Sequence, residues 1–201
     1  MENHNELMET PSEFPRETGL KWLRTLFYLH LASLAVGGGA ALPMDDQWLT
    51  WGSRLITVGA ILCLFRLACA NGRYRKAAIF RAVYLGGALA SSLLFSSTIL
   101  MLAASVCSMI SDYQEYHAHA EMTAADPKLS EQWRGLFTWA VITGIIVGFG
   151  SFLTAVVVSL ADVGTAATAA IVVAILSVPS LIFNVVYLVY LHRTIRIFQA
   201  E

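Results

Sequence analysis

The sequence has few charged residues. Only 13% of its 201 residues are Asp, Glu, Lys or Arg, 57% are hydrophobic, and the mean hydropathy is +0.63. An average soluble domain is about half apolar and about a quarter charged. A water-soluble fold of this chain would leave long apolar stretches exposed to water. The composition therefore predicts an all-α, polytopic membrane bundle, with the lipid bilayer as its first partner.

The sequence also lacks features that nucleic-acid-binding proteins, disulfide-rich proteins and several classes of enzyme require. The net charge of −1 offers no concentrated basic surface, so nucleic acid is not expected as a partner. The three cysteines lie in apolar stretches and form neither a disulfide framework nor a CxxC motif. A Walker loop, a GxSxG elbow, an HExxH motif and a Cys/His zinc pattern are also missing from the sequence. These absences favour a non-enzyme, and no cofactor is expected.

Five apolar runs predict about five transmembrane helices, since about 20 helical residues cross a hydrocarbon core of ~30 Å. The third run is longer than one crossing needs and too short for two, which predicts a single helix that tilts or projects beyond the lipid. Residues 1–20 are predicted to form a polar tail, and residues 21–201 a single bundle domain. The predicted spans are 22–42, 48–70, 79–110, 136–160 and 166–191.

The first apolar run has a second interpretation, as a signal peptide with Lys21 and Arg24 at its basic end. The long polar stretch that precedes these two residues is atypical of a signal peptide. An uncleaved first helix explains the same residues, and it is the interpretation that we favour.

Orientation follows from the basic residues, because loops rich in Lys and Arg stay in the cytoplasm. The turn around Arg73 and the pair Lys21 and Arg24 place the amino terminus in the cytoplasm, and we expect the bacterial inner (cytoplasmic) membrane. Five spans then put Arg193 and Arg196 outside, against this rule. A re-entrant segment would remove the conflict. The charged stretch 111–135 is predicted to be the one sizeable extramembrane loop.

Polar residues inside the predicted spans are candidates for a pathway, because ionisable groups are costly in a bilayer. They are His30, Arg54, Ser92, Ser96 and Asn184. If they converge near the midplane, the chain is a small transporter or channel. Each also has a structural interpretation, as a packed core group or a hydroxyl bonded to its own helix. A haem site is not expected, because no second span offers a histidine facing His30.

The loop 111–135 holds His117, His119 and Glu121, with Asp112 and Glu115 nearby, and this is the densest set of potential metal ligands in the chain. On a helix His117 would face Glu121, whereas an extended strand would bring both histidines to one face. A metal-dependent membrane enzyme is therefore one alternative function. A solvated amphipathic segment is the other interpretation of these residues.

Small residues recur every four positions in the fourth span, at Ala140, Gly144 and Gly148. Such stripes let a second helix approach closely, either within the chain or across a subunit interface. Packing stripes are present and catalytic motifs are missing. The leading hypothesis is therefore a non-enzymatic, membrane-embedded subunit or accessory protein that self-associates or binds a membrane partner protein.

Overall fold

The computed structural model describes residues 16–39, 46–93, 98–160 and 166–200. These residues form six α-helices and contain no strand, which confirms the all-helical prediction. Most of the predicted polar tail and Ser96 lie outside the described residues. The helices are α1 (Arg16–Gly39), α2 (Asp46–Leu67), α3 (Gly72–Leu93), α4 (Thr98–Met122), α5 (Pro127–Leu160) and α6 (Ala166–Ala200).

The six helices form a closed ring. Each helix packs against the next one along the chain, and α6 returns to pack against α1. Neighbouring helices are antiparallel, as the contact between Arg73 near the start of α3 and Glu121 near the end of α4 shows. The ring closes where the Arg16 side chain of α1 donates a hydrogen bond to the Phe198 carbonyl of α6, at 2.9 Å.

The apolar run 79–110, predicted to be one helix, is divided between α3 and α4. The prediction counted apolar residues alone. Both helices extend beyond the apolar run, α3 into the basic residues after Gly72 and α4 into the polar residues before Met122. They pack closely, since a Cβ built on Gly87 would lie 3.0 Å from the Ala104 Cβ. Six helices therefore replace the predicted five.

The predicted loop 111–135 is also mostly helical. Helix α4 continues to Met122 and α5 begins at Pro127, which leaves a connection of four residues, 123–126. The Asp126 carboxylate accepts a hydrogen bond from the Leu129 amide at 3.1 Å, and Pro127 occupies the first helical position. Both are standard helix-start features. Polar residues expected in solvent therefore lie on helix faces.

Buried side chains concentrate at one end of the ring. We call this the basic end: it comprises the starts of α1, α3 and α5 and the ends of α2, α4 and α6. The largest fully buried apolar side chains here are Leu23, Leu64, Tyr74, Trp133 and Leu191. The outer surface, by contrast, exposes large apolar side chains on all six helices, among them Leu31, Leu55, Val83, Ile99, Phe149 and Leu181.

The cations are distributed as unevenly as the core. Of the thirteen Lys and Arg residues, twelve lie in the helix halves that meet at the basic end, and Arg54 is the exception.

Among the described residues, two helical segments have the length and hydropathy of a membrane span, Gln47–Leu67 and Val178–Gln199. These two segments give weak support for association with a membrane.

Candidate functional site

A charged cluster lies inside the ring, centred on Glu115 of α4. The Glu115 side chain is fully buried. Its Oε2 lies 2.8 Å from the Arg81 guanidinium of α3, and its Oε1 accepts a hydrogen bond from the Tyr187 hydroxyl of α6 at 2.5 Å. Three helices that are not all neighbours in the ring therefore meet at one carboxylate.

Arg81 binds a second carboxylate, since its Nη2 lies 2.7 Å from Asp112 Oδ1. Asp112 and Glu115 are three residues apart on α4, a spacing that puts both on one helix face. One guanidinium therefore faces two carboxylates, and the cluster carries one negative charge unless it binds a proton or a cation. Uncompensated charge away from water is strongly unfavourable. This excess of negative charge is the main electrostatic property of the site.

Two imidazoles flank Glu115. The Nε2 atoms of His30 on α1 and His119 on α4 lie 3.9 Å and 3.8 Å from Glu115 Oε1, beyond hydrogen-bonding distance. Neither Nε2 has a hydrogen-bond partner among the described residues. His119 is held at its other nitrogen, where Nδ1 lies 2.8 Å from the Tyr74 hydroxyl. A proton on either imidazole would therefore lie beside a carboxylate.

Aromatic rings enclose the cluster on the side of the basic end. Trp133 of α5 stacks on His119, with ring centroids 4.4 Å apart, and Tyr187 contacts His30 in a tilted arrangement, with centroids 4.3 Å apart. The Trp133 indole donates to the Thr194 hydroxyl of α6 at 3.0 Å, so its polar atom is satisfied although it is fully buried. These rings exclude water from one side of the Glu115 site.

On its other side the cluster meets a cavity of about 130 Å³. A water molecule occupies about 30 Å³ in the liquid, so this volume holds a few waters or a small ion. The lining is partly polar, as an aqueous compartment requires: it comprises Leu29, His30, Ser33, Ile56, Thr57, Ala60, Arg81, Tyr84 and Ser108. His30 and Arg81 belong to both the cluster and the cavity wall.

The polar residues predicted to share a pathway lie in separate places. His30 belongs to the Glu115 cluster. Arg54 donates to the Ser92 hydroxyl at 2.9 Å, nearer the other end of the ring. Asn184 is exposed and donates to the Ser180 carbonyl of its own helix. Since Ser96 lies outside the described residues, the structure joins only Arg54 with Ser92 from this set.

The predicted metal ligands are also dispersed. His119 points into the ring, whereas His117 contacts the Tyr113 carbonyl of its own helix at 2.9 Å and Glu121 is exposed. The helical geometry of α4 separates His119 from the other two residues, because it lies two positions from each of them, whereas His117 and Glu121 are four residues apart and share a helix face. No group of three or more His, Cys, Asp or Glu side chains in the described part of the chain is arranged to hold a metal ion.

Glu121 has a structural role instead. It accepts hydrogen bonds from the Asn71 amide at 2.8 Å and from Arg73 Nε at 2.6 Å. Burial opposes ionisation of Glu121, but these two hydrogen bonds and the Arg73 charge outweigh it and hold the pKa of Glu121 below its usual value. The contact fastens the α3 start to the α4 end.

The predicted packing stripe has only a partial role within the chain. Ala140 is half-buried and packs against the core. A Cβ built on Gly144, by contrast, would have no atom within 4 Å. The surroundings of Gly148 lie outside the described residues. Among the described residues, therefore, no atom of another helix fills the space that the missing side chain of Gly144 leaves.

The sequence-based candidates miss Arg81, Asp112, Glu115 and Tyr187. Arg81 is near a span end, where a long side chain is expected to reach the interface. A helix through residues 111–135 would place three polar residues on one face, because their positions differ by three and four: Asp112, Glu115 and His119. The sequence-based prediction for this stretch was a loop. That spacing is the signal that would have located the site.

Searches of protein-family models, curated proteins and solved structures found no match to the chain.

Proposed function

We propose that all six helices cross a membrane and that both termini lie in the cytoplasm. Two features support this arrangement. Large apolar side chains are exposed on every helix, as lipid contact requires, and twelve of the thirteen cations lie at one end. An even number of spans returns Arg193 and Arg196 to the cytoplasmic side. The conflict with the positive-inside rule that five spans produce is thereby removed.

Cysteine labelling tests this topology. Cys69 is exposed and lies at the basic end, so in a Cys63→Ala, Cys107→Ala background a membrane-impermeant maleimide should label it only from the cytoplasmic side. Gln47→Cys, made together with Cys69→Ala in that background, places the thiol at the other end and should be labelled only from outside. Labelling of both positions from the same side would contradict the proposed crossing of α2.

For the function, we propose a small transporter or channel in which the Glu115 cluster binds and releases a proton. One observation carries this proposal: the fully buried Glu115 carboxylate shares the Arg81 guanidinium with Asp112, and Arg81 also lines a half-open cavity. Intramembrane ionisable groups mark ion pathways and proton relays in membrane proteins. The unpartnered Nε2 atoms of His30 and His119 lie beside Glu115 and supply sites for proton exchange.

The charge and size of the site restrict what it accepts. Two carboxylates against one guanidinium favour a cation over an anion. The half-open cavity beside the cluster has a volume of about 130 Å³, which is room for a small cation with a few water molecules. A proton meets both conditions, and it needs no further rearrangement of the His30 and Arg81 side chains that line the cavity.

Proton flux into proteoliposomes tests this function. A pH-sensitive dye inside the vesicles reports acidification when a potassium gradient and valinomycin impose an inward-driving potential. We expect flux at least tenfold above that of empty vesicles, lost in Glu115→Gln and reduced in His30→Gln. Glu131→Gln is the matched control, because Glu131 is exposed on α5. Wild-type flux equal to that of empty vesicles, or equal flux in Glu115→Gln, would reject the proposal.

The open surface at Gly144 favours a second candidate, the membrane-embedded subunit or accessory protein. Among the described residues no atom lies within 4 Å of a Cβ built on Gly144, and this space permits close packing of a helix from a second copy or a partner. Cross-linking in native membranes should then give an adduct that Gly144→Leu abolishes. Gly86→Leu is the control, since Gly86 on α3 is equally open. An adduct that survives Gly144→Leu would exclude this face as the interface.

A further inference from the structure

A long groove runs between α5 and α6 on the outer surface of the ring. Its volume is about 590 Å³, and most of its wall is apolar. The lining residues are Gln132, Gly135, Leu136, Trp139, Ile142, Thr143, Ile146, Pro179, Ile182, Phe183, Val186 and Tyr190. The Glu115 cluster shares none of these residues, so the groove is a separate site.

The groove has the length of one lipid leaflet. Gln132 and Ile146 are fourteen residues apart on α5, which corresponds to ~21 Å at 1.5 Å per residue. One leaflet contributes about half of the ~30 Å hydrocarbon core, to which the headgroup region adds several ångströms. With the basic end in the cytoplasm, the groove extends from the cytoplasmic headgroup region toward the bilayer centre.

The end of the groove nearest the basic end is polar and cationic. Gln132 and Tyr190 line it, and the Arg193 guanidinium donates to the Gln132 side chain at 3.2 Å. Lys128 precedes Gln132 by four residues on α5, and Arg193 follows Tyr190 by three residues on α6. At these spacings each cation lies on the same helix face as the groove residue, one turn nearer the basic end. One carboxylate, Glu131, lies at the edge of the α5 face. Two cations therefore frame the polar end.

We infer that this groove binds an anionic phospholipid of the cytoplasmic leaflet. An acyl chain lies along Trp139, Ile142 and Ile146, and the phosphate lies between Lys128 and Arg193. Basic pockets between helices on the cytoplasmic side are suited to anionic headgroups, and Arg forms strong charge-assisted hydrogen bonds with phosphate. The inference rests on the proposed membrane topology and is independent of proton transport.

A lipid fits the groove better than a partner helix does. The charge at one end matches a headgroup, whereas the small residue that suits helix contact lies elsewhere on α5. At ~100° per residue, Gly144 is about 160° around the helix from both Lys128 and Ile146. The groove and the open Gly144 surface therefore face in nearly opposite directions.

Native mass spectrometry of the full-length protein tests this site. The protein is equilibrated with equal amounts of phosphatidylglycerol and phosphatidylcholine that carry the same acyl chains. We expect at least fivefold greater retention of phosphatidylglycerol, reduced to the phosphatidylcholine level in the Lys128→Gln, Arg193→Gln double variant. Arg134→Gln is the control, because Arg134 is exposed on another face of α5, and it should retain the wild-type preference.

A second variant tests the apolar part of the groove. Thr143→Trp fills it, and we expect lower retention of both lipids at unchanged monodispersity. Equal retention of the two lipids by the wild type, or loss of the preference in Arg134→Gln as well, would overturn the inference. So would a dimer that Thr143→Trp disrupts, since a second copy would then occupy the groove. Lipid retention requires no flux, so failed proton transport and failed lipid binding are distinguishable.

Discussion

Tyr187 of α6 donates a hydrogen bond across the ring to Glu115 of α4, with an oxygen–oxygen distance of 2.5 Å. The two residues are 72 positions apart, and their helices are not among the main packed pairs of the ring. The hydroxyl–carboxylate contact fixes the height of α6 relative to α4, because a shift of one residue would break it.

The Glu115 cluster should contribute strongly to stability. Tyr187→Phe removes a hydrogen bond to a charged group and is expected to destabilise the fold by about 2 kcal/mol. Glu115→Gln removes the ion pair with Arg81 but leaves Arg81 balanced by Asp112 and keeps an oxygen that can accept from Tyr187, so we expect a loss of about 1–3 kcal/mol. Thermal unfolding in detergent measures both effects. Glu131→Gln, which alters an exposed carboxylate, should leave the midpoint unchanged. A Glu115→Gln midpoint equal to that of Glu131→Gln would contradict a structural role for the cluster.

The sequence predicts the helical class and the positions of most helices, because the apolar runs include both the exposed and the core-facing apolar residues of each helix. It does not predict the division of run 79–110, since the residues that lengthen α3 and α4 are polar and were assigned to connections. Because residues 111–135 were assigned to a loop, the Glu115 cluster was not located from the sequence either. Glu115 is charged and is flanked by other polar residues, which makes it resemble a loop residue until α4 is known to continue to Met122.

Gly87 and Gly86 should respond oppositely to alanine. A Cβ at Gly87 would lie 3.0 Å from the Ala104 Cβ, so Gly87→Ala forces α3 and α4 apart, and we expect a loss of about 1–3 kcal/mol. Gly86 has no atom within 4 Å of a built Cβ, and Gly86→Ala should gain up to ~1 kcal/mol from helix propensity. Unfolding midpoints of the two variants provide the comparison.

A compensating change at Ala104 tests whether the loss of stability in Gly87→Ala arises from contact with that residue. Ala104→Gly removes the atom that a Gly87 Cβ would meet. The double variant Gly87→Ala, Ala104→Gly should therefore be more stable than the sum of the two single changes predicts. Strict additivity of the two changes would mean that the loss arises elsewhere than at the contact between α3 and α4.

The Trp133 indole should couple energetically to Thr194. Trp133→Phe and Thr194→Val each remove the 3.0 Å hydrogen bond. Thr194→Val leaves the buried Trp133 indole N–H without an acceptor and is expected to cost about 1–3 kcal/mol, whereas after Trp133→Phe the Thr194 hydroxyl still donates to the Tyr190 carbonyl. The double variant removes both partners, so its loss should be smaller than the sum of the single losses. Thermal unfolding of the four proteins completes the cycle. Additive losses would indicate that Trp133 contributes through its stack on His119 alone.

Glu121 should make a small, acid-sensitive contribution to stability. Its pKa is lowered in the folded protein, so the stabilisation is complete above the unfolded value of about 4.3 and disappears as the pH falls through the folded value. Because Glu121 and Arg73 are both substantially exposed, we expect less than ~1 kcal/mol at neutral pH. Unfolding midpoints of the wild type and Glu121→Gln, measured from pH 7 to pH 3, should therefore converge at low pH. A difference that is as large at pH 3 as at pH 7 would show that the Glu121 charge contributes nothing to the contact with Arg73.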